Sequence, residues 1–156
     1  MNRKYAEGTE VPIGRSRDEI ERTLERFGAT GQIWARDDEI GQVIIAFKRK
    51  ARGYKFIIKL PPLSDFRFTP KMTYERTPKQ MADMRDAETR RRFRSLANYI
   101  KALMDAIDTG IIKAEEALLP YQMLPSGETV YQRVQEQIDR GLEVNLAHAL
   151  NPPKEY

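Results

Sequence analysis

The sequence predicts an α+β domain: a small antiparallel three-stranded meander covered by an N-terminal helix and a long central helix, with further helices towards the C-terminus. Three observations predict it. Val43, Ile45 and Phe47 lie on one face, and Tyr54, Phe56, Ile58 and Leu60 lie on one face, each at the period of two of a half-buried strand. Phe93, Leu96, Ala97, Ile100, Leu103, Met104 and Ile107 fall on one helical stripe about 120° wide at roughly 100° per residue. The chain, at 156 residues, is long enough for one hydrophobic core that needs neither disulfide nor metal.

The first element is a helix from Ser16 to Phe27. Ser16 followed by Glu19 matches a capping box, Ile20, Leu24 and Phe27 recur at helical spacing, and Gly28 suits the left-handed residue that ends a helix. A strand over Gln32–Arg36 turns through Asp37-Asp38-Glu39-Ile40-Gly41 into the strand Val43–Phe47. A loop around Arg49–Gly53 leads into the third strand, and Pro61-Pro62 ends the sheet because proline cannot donate to a ladder. Leu63–Thr77 is an extended connection that lies against the domain or supplies an edge strand through Phe66-Arg67-Phe68.

Thr77-Pro78-Lys79-Gln80 offers a cap, a proline in the first turn and a capping-box glutamine. Met81 and Met84 miss the stripe of the helix that follows, which predicts a kink or a fresh start near Asp86 before the helix ends at Gly110. A shorter helix then covers Ala114–Leu119 and stops at Pro120. Pro125-Ser126-Gly127 turns, and Thr129 with Gln132 caps a helix Val130–Arg140 that Gly141 ends. Residues 1–144 thus form a single domain, and residues 145–156, with His148 and Pro152-Pro153, a flexible tail.

Composition excludes several function classes. No cysteine means no thiolate chemistry and no Cys-type zinc or iron–sulfur site, and one histidine removes multi-histidine metal centres. The apolar runs are far shorter than the roughly 20 residues that span a bilayer, and the first fifteen residues lack the apolar core of a signal peptide, so a soluble intracellular protein is expected. No phosphate-binding glycine loop, dinucleotide fingerprint or nucleophile elbow occurs. Asp37-Asp38-Glu39 lacks the ligand spacing of a calcium loop. A non-enzymatic protein without cofactor or metal is the expectation.

The net charge of +4 is modest, but it is unevenly placed. Residues 1–110 carry +7 and residues 111–156 carry −3. Five cations and a tyrosine share Lys48-Arg49-Lys50-Ala51-Arg52-Gly53-Tyr54-Lys55, a hairpin tip whose long side chains reach phosphates. Hairpin tips are also ordinarily solvated, and lysine on a sheet edge discourages association. Arg90, Arg91, Arg94 and Lys101 project to one side of the central helix, a basic stripe about 16 Å long at 1.5 Å per residue. The bland reading of that stripe is a salt-bridged surface helix. Trp34 and Tyr54 are candidates for stacking on a base, against the alternative that a strand tryptophan is core. The charge split equally suits head-to-tail self-association into a homo-oligomer.

The segments Arg90-Arg91-Arg92-Phe93-Arg94-Ser95-Leu96, Ile100-Lys101-Ala102, Asp105-Ala106-Ile107-Asp108-Thr109-Gly110-Ile111, Glu115-Glu116-Ala117-Leu118-Leu119 and Leu124-Pro125-Ser126-Gly127-Glu128-Thr129-Val130 resemble a family of small uncharacterised proteins encoded by phages, prophages and mobile elements. The N-terminal half, with Phe27-Gly28-Ala29-Thr30 after its helix, is similar too, so the resemblance spans about residues 16–135. It implies a context, the cytoplasm of a bacterial host, and no mechanism. The leading expectation is an accessory protein that binds nucleic acid through Lys48, Arg49, Lys50, Arg52, Lys55 and the Arg90–Arg94 cluster. The competing ones are an anti-defence inhibitor using the same arginines on an acidic host protein, and a protein that sequesters an anionic nucleotide signal.

Overall fold

A computed structural model describes residues 9–69, 71 and 74–140. Strands β1 (Thr30–Asp37), β2 (Gln42–Arg49) and β3 (Arg52–Lys59) form an antiparallel sheet in the order β1-β2-β3, as the alternation predicts. The register sets Trp34, Ile45 and Phe56 in one row, Phe47 opposite Tyr54, and Val43 opposite Ile58. These side chains share one face, and a period of two sends Ile33, Ala35, Ile44, Ala46 and Ile57 to the other. None of the latter is buried, and Ile33 is 63% exposed.

Helices α1 (Ile13–Arg26) and α2 (Pro78–Asp108) cover the first face. Ile20 and Leu24 of α1 meet Phe93, Ala97, Ile100 and Met104 of α2 over Val43, Ile45, Phe47, Tyr54, Phe56 and Ile58 in one core. Arg94 is joined to Glu19, while Thr23, Arg26 and Phe27 share a groove with Lys101, Met104 and Asp108, so the two helices run side by side in the same direction. Gly28 (φ 86°) ends α1 in the left-handed conformation, where a side chain would be strained.

Two expectations are corrected. Helix α1 starts at Ile13, three residues before Ser16, because extended Pro12 occupies the cap position. Ser16 donates its N–H to the Pro12 carbonyl at 3.3 Å, its buried hydroxyl meets no partner among the described residues, and Glu19 turns to Arg94 instead of completing a cap. Helix α2 runs unbroken for 31 residues, about 46 Å, with no break at Asp86. Its first turns lie beyond the sheet against the 3-10 turn Leu63–Phe66, with the Arg85 Nε bonded to the Pro61 carbonyl at 3.2 Å, so Met84 can stay exposed and nothing forces a kink. Of the two alternatives for the connection before α2, it takes the first: its 3-10 turn Leu63–Phe66 lies against α2, it adds no strand to the sheet among the described residues, and Phe68 pairs locally with Glu75.

The capping box of Thr77 and Gln80 is formed as expected. Beyond Gly110, helix α3 (Ala114–Leu118) buries Leu118 and passes into a 3-10 turn, Leu119–Tyr121. The chain then lays Gln122-Met123 beside the start of β3, a contact with no signal in the sequence, before Thr129 and Gln132 cap helix α4 (Val130–Asp139). Gly141, His148 and the tail expected over residues 145–156 lie outside the described residues, as does the end of the 1–144 domain. Among the described residues no helix is long and apolar enough to cross a membrane.

Candidate anion-binding surface

Arg49 and Arg52 face each other across β2 and β3, which leaves Lys50 and Ala51 as a two-residue loop. Both have positive φ, 47° and 62°, the pairing of a primed hairpin turn whose backbone matches the twist of the strands. Such turns favour Asn-Gly, since a Cβ in the left-handed region costs about 1–2 kcal/mol. Ala51→Gly is therefore expected to stabilise the fold by about 0.5–1 kcal/mol after the extra freedom of glycine in the unfolded chain is offset, read as a higher urea midpoint.

The tip places Lys48, Lys50 and Arg52 in solvent. Arg49 is half-buried: its Nε donates to the Phe27 carbonyl at 3.0 Å, and its guanidinium lies 4.0 Å above the centre of the Phe27 ring. Phe27 is the residue that ends α1, where unpaired carbonyls and the helix dipole favour a cation. Lys55 is turned away from the tip, on the other face of β3, and its Nζ donates to the Gly127 carbonyl at 2.7 Å. No carboxylate pairs with any of these five cations among the described residues.

The arginine helix is different, and the single stripe expected from Arg90, Arg91, Arg94 and Lys101 is divided. Arg91 holds Glu88 with two bonds, at 2.7 and 2.6 Å, and Arg92 joins the same carboxylate at 3.0 Å, drawing Arg91 towards the β3 side of α2. Arg94 leans the other way to Glu19 of α1. Arg90 and Lys101 form no ion pair among the described residues. Lys101 and Arg94 line a groove of about 900 Å³ between α1 and α2. Together with its continuation towards Phe27 the groove carries Arg15, Arg22, Arg26, Arg94 and Lys101 against Asp18, Glu19, Glu25, Asp105 and Asp108, so it adds no net charge.

The Glu88 carboxyl reports how strongly the two guanidiniums hold it. Hydrogen bonds from Arg91 and then Arg92 lower its pKa from an ordinary 4.5 to about 2, against burial, which raises it. A depressed carboxylate contributes stability above its unfolded pKa and loses it as pH falls through the folded one. Urea midpoints are thus expected to fall between pH 4.5 and 2, and Glu88→Gln to lower the midpoint at pH 7 and flatten that acid limb.

The two stacking candidates are occupied. Tyr54 is 4% exposed and stacks on Phe47 at 5.3 Å inside the core. The Trp34 ring stacks on Phe93 at 6.3 Å and carries the Arg17 guanidinium 4.7 Å from its centre. Neither offers a free face to a base, because the strand positions that made them conspicuous are core-facing positions. The carboxylates of the first turn serve the backbone: Asp37 Oδ1 accepts from the N–H groups of Glu39 and Ile40 at 3.0 and 3.2 Å, and Asp38 pairs with Arg36. Among the described residues no group of three or more acidic or histidine side chains is placed to hold a metal ion.

Comparison with protein-family models, with curated proteins and with solved structures finds no match to this chain.

Proposed function

We propose that this chain is a non-enzymatic accessory protein of a phage or mobile element that binds nucleic acid through the tip of the β2–β3 hairpin. The observation that carries the reading is the contrast in charge compensation. Arg91, Arg92 and Arg94 are already held by Glu88 and Glu19, whereas Lys48, Lys50 and Arg52 stand in solvent beside Arg49 with no carboxylate partner among the described residues. Phosphate contacts by three such side chains position a polyanion without reading bases. The test is fluorescence anisotropy of labelled single-stranded and duplex oligonucleotides over a range of salt. The affinity is expected to fall with salt with a log–log slope of about −2 to −3, the value for three neutralised phosphates. No anisotropy change at low salt would overturn the reading.

The second reading, an inhibitor that binds a host protein, is favoured by the apolar residues of the outer sheet face, Ile33 and Ala35 exposed and Ile44, Ala46 and Ile57 half-buried among the described residues, which phosphate binding does not use. Capture from bacterial lysate with nuclease treatment separates the two: a partner retained after the nucleic acid is digested supports inhibition.

A further inference from the structure

Among the described residues strand β3 is an edge of the sheet, and the chain itself pairs with only its first residues. The Met123 N–H donates to the Gly53 carbonyl at 2.8 Å, and Gln122 bridges Tyr54. At the other end Arg92 donates to the Lys59 carbonyl. The outward carbonyls of Gly53 and Lys59 fix the alternation, because in an antiparallel ladder every second residue turns both backbone groups away from its partner strand. Lys55 and Ile57 therefore also turn N–H and C=O outwards; the bridge of Tyr54 with Gln122 sets the Lys55 N–H towards the Tyr121 carbonyl, and no backbone group among the described residues meets the Lys55 carbonyl or either group of Ile57.

This free edge opens into a groove of about 780 Å³ between β3, α2 and the segment that leads into α4. The α2 side of the groove carries Leu96 and Tyr99, and Tyr121 closes it, its hydroxyl 2.6 Å from that of Tyr99 and its ring 4.5 Å from Phe56. Among the described residues the charged side chains of the lining are Lys55, Lys59, Arg91 and Arg92, with no carboxylate. Glu88 is shared by two guanidiniums, and the Lys55 partner is a neutral carbonyl, so the groove keeps an excess of positive charge.

We propose that the edge from Lys55 to Lys59 is a docking site for an acidic segment of a partner protein, which adds to the sheet as a further strand. Five residues of edge, about 17 Å, match a short extended peptide. Its side chains alternate: those directed to the helices pack on Leu96, Tyr99 and Tyr121, and those directed to the other face of the sheet meet the ammonium groups of Lys55 and Lys59. A second copy of the chain is disfavoured by the same charges, since antiparallel pairing of two β3 edges about Ile57 sets Lys55 opposite Lys59 of the other copy. At the far edge, the pairing of β1 is irregular between Thr30 and Ile33, a feature that discourages strand addition there.

The probe is a fluorescent heptapeptide of alternating glutamate and leucine, with a lysine–leucine peptide as control, added to the full chain. The glutamate peptide alone is expected to bind, and Lys55→Glu with Lys59→Glu to weaken it at least about tenfold and to favour the control peptide. Amide exchange gives a readout independent of any variant: the N–H groups of Ile57 and Lys59 are expected to exchange quickly in the free chain and to become protected on binding. Absence of binding at millimolar peptide, binding without that protection, or equal binding of the control overturns the proposal. So does protection of these two amides in the free chain, which would show the edge occupied by the protein itself, including residues 141–156. Loss of oligonucleotide binding leaves these readouts unchanged, so this site and the hairpin tip fail separately.

Discussion

Replacing Lys48, Lys50 and Arg52 together by glutamine is expected to weaken oligonucleotide binding on the order of 10²-fold at 0.1 M salt and to remove most of its salt dependence. Each phosphate contact contributes a slope of about −0.7 to −0.9, so at 0.1 M the loss of one contact is about five- to eightfold and the loss of three multiplies to a few hundredfold. The three side chains are exposed and make no ion pair among the described residues, so the fold is expected to be unaffected, as far-ultraviolet circular dichroism checks. Arg91→Gln is the control: Arg91 lies on α2 in the groove beside Lys55 and Lys59 and is held by Glu88, and its loss is expected to leave affinity within about twofold. Unchanged binding in the triple variant would move the site away from the hairpin tip.

The largest expected effect on stability is that of Ile45→Ala. Ile45 is fully buried at the centre of the middle strand, between Trp34 and Phe56 and beneath both helices. Truncating a large aliphatic side chain at such a site removes its transfer free energy and leaves a cavity, costing about 3–4 kcal/mol where neighbours cannot collapse. Here β2 is held on both sides by its ladders, which prevents collapse. For a domain of this size that corresponds to a drop of about 6–15 °C in melting temperature, measured by calorimetry. Ile33→Ala, on the exposed face of the same sheet, is expected to cost under about 0.5 kcal/mol, so the pair of variants distinguishes the two faces.

How much of this was legible in the sequence depends on the range of the interaction that decides each element. The second and third strands are legible from large apolar residues spaced by two, Val43, Ile45 and Phe47, then Tyr54, Phe56 and Ile58, and Thr77 with Gln80 and Thr129 with Gln132 state their helix starts within four residues. Ser16 and Glu19 have the same spacing and a different outcome, because Pro12 starts the helix earlier and Arg94, 75 residues from Glu19, takes the carboxylate. The basic stripe failed for the same reason: wheel geometry places Arg91 and Arg94 together, and their partners on different elements pull them apart. The hairpin tip was legible as a concentration of charge. That Arg49 is committed to Phe27, and Tyr54 to the core, was not, since both depend on contacts made only in the folded chain.

The seat of Arg49 on Phe27 bears on how the tip behaves in concentrated electrolyte. Its partners are a carbonyl and an aromatic ring, and neither bears a net charge that counter-ions screen. Mobile ions therefore compete for Lys48, Lys50 and Arg52 while the hairpin stays clamped to the end of α1. A titration with salt reads the ligand's contacts alone, against a surface whose orientation does not change with the ionic strength.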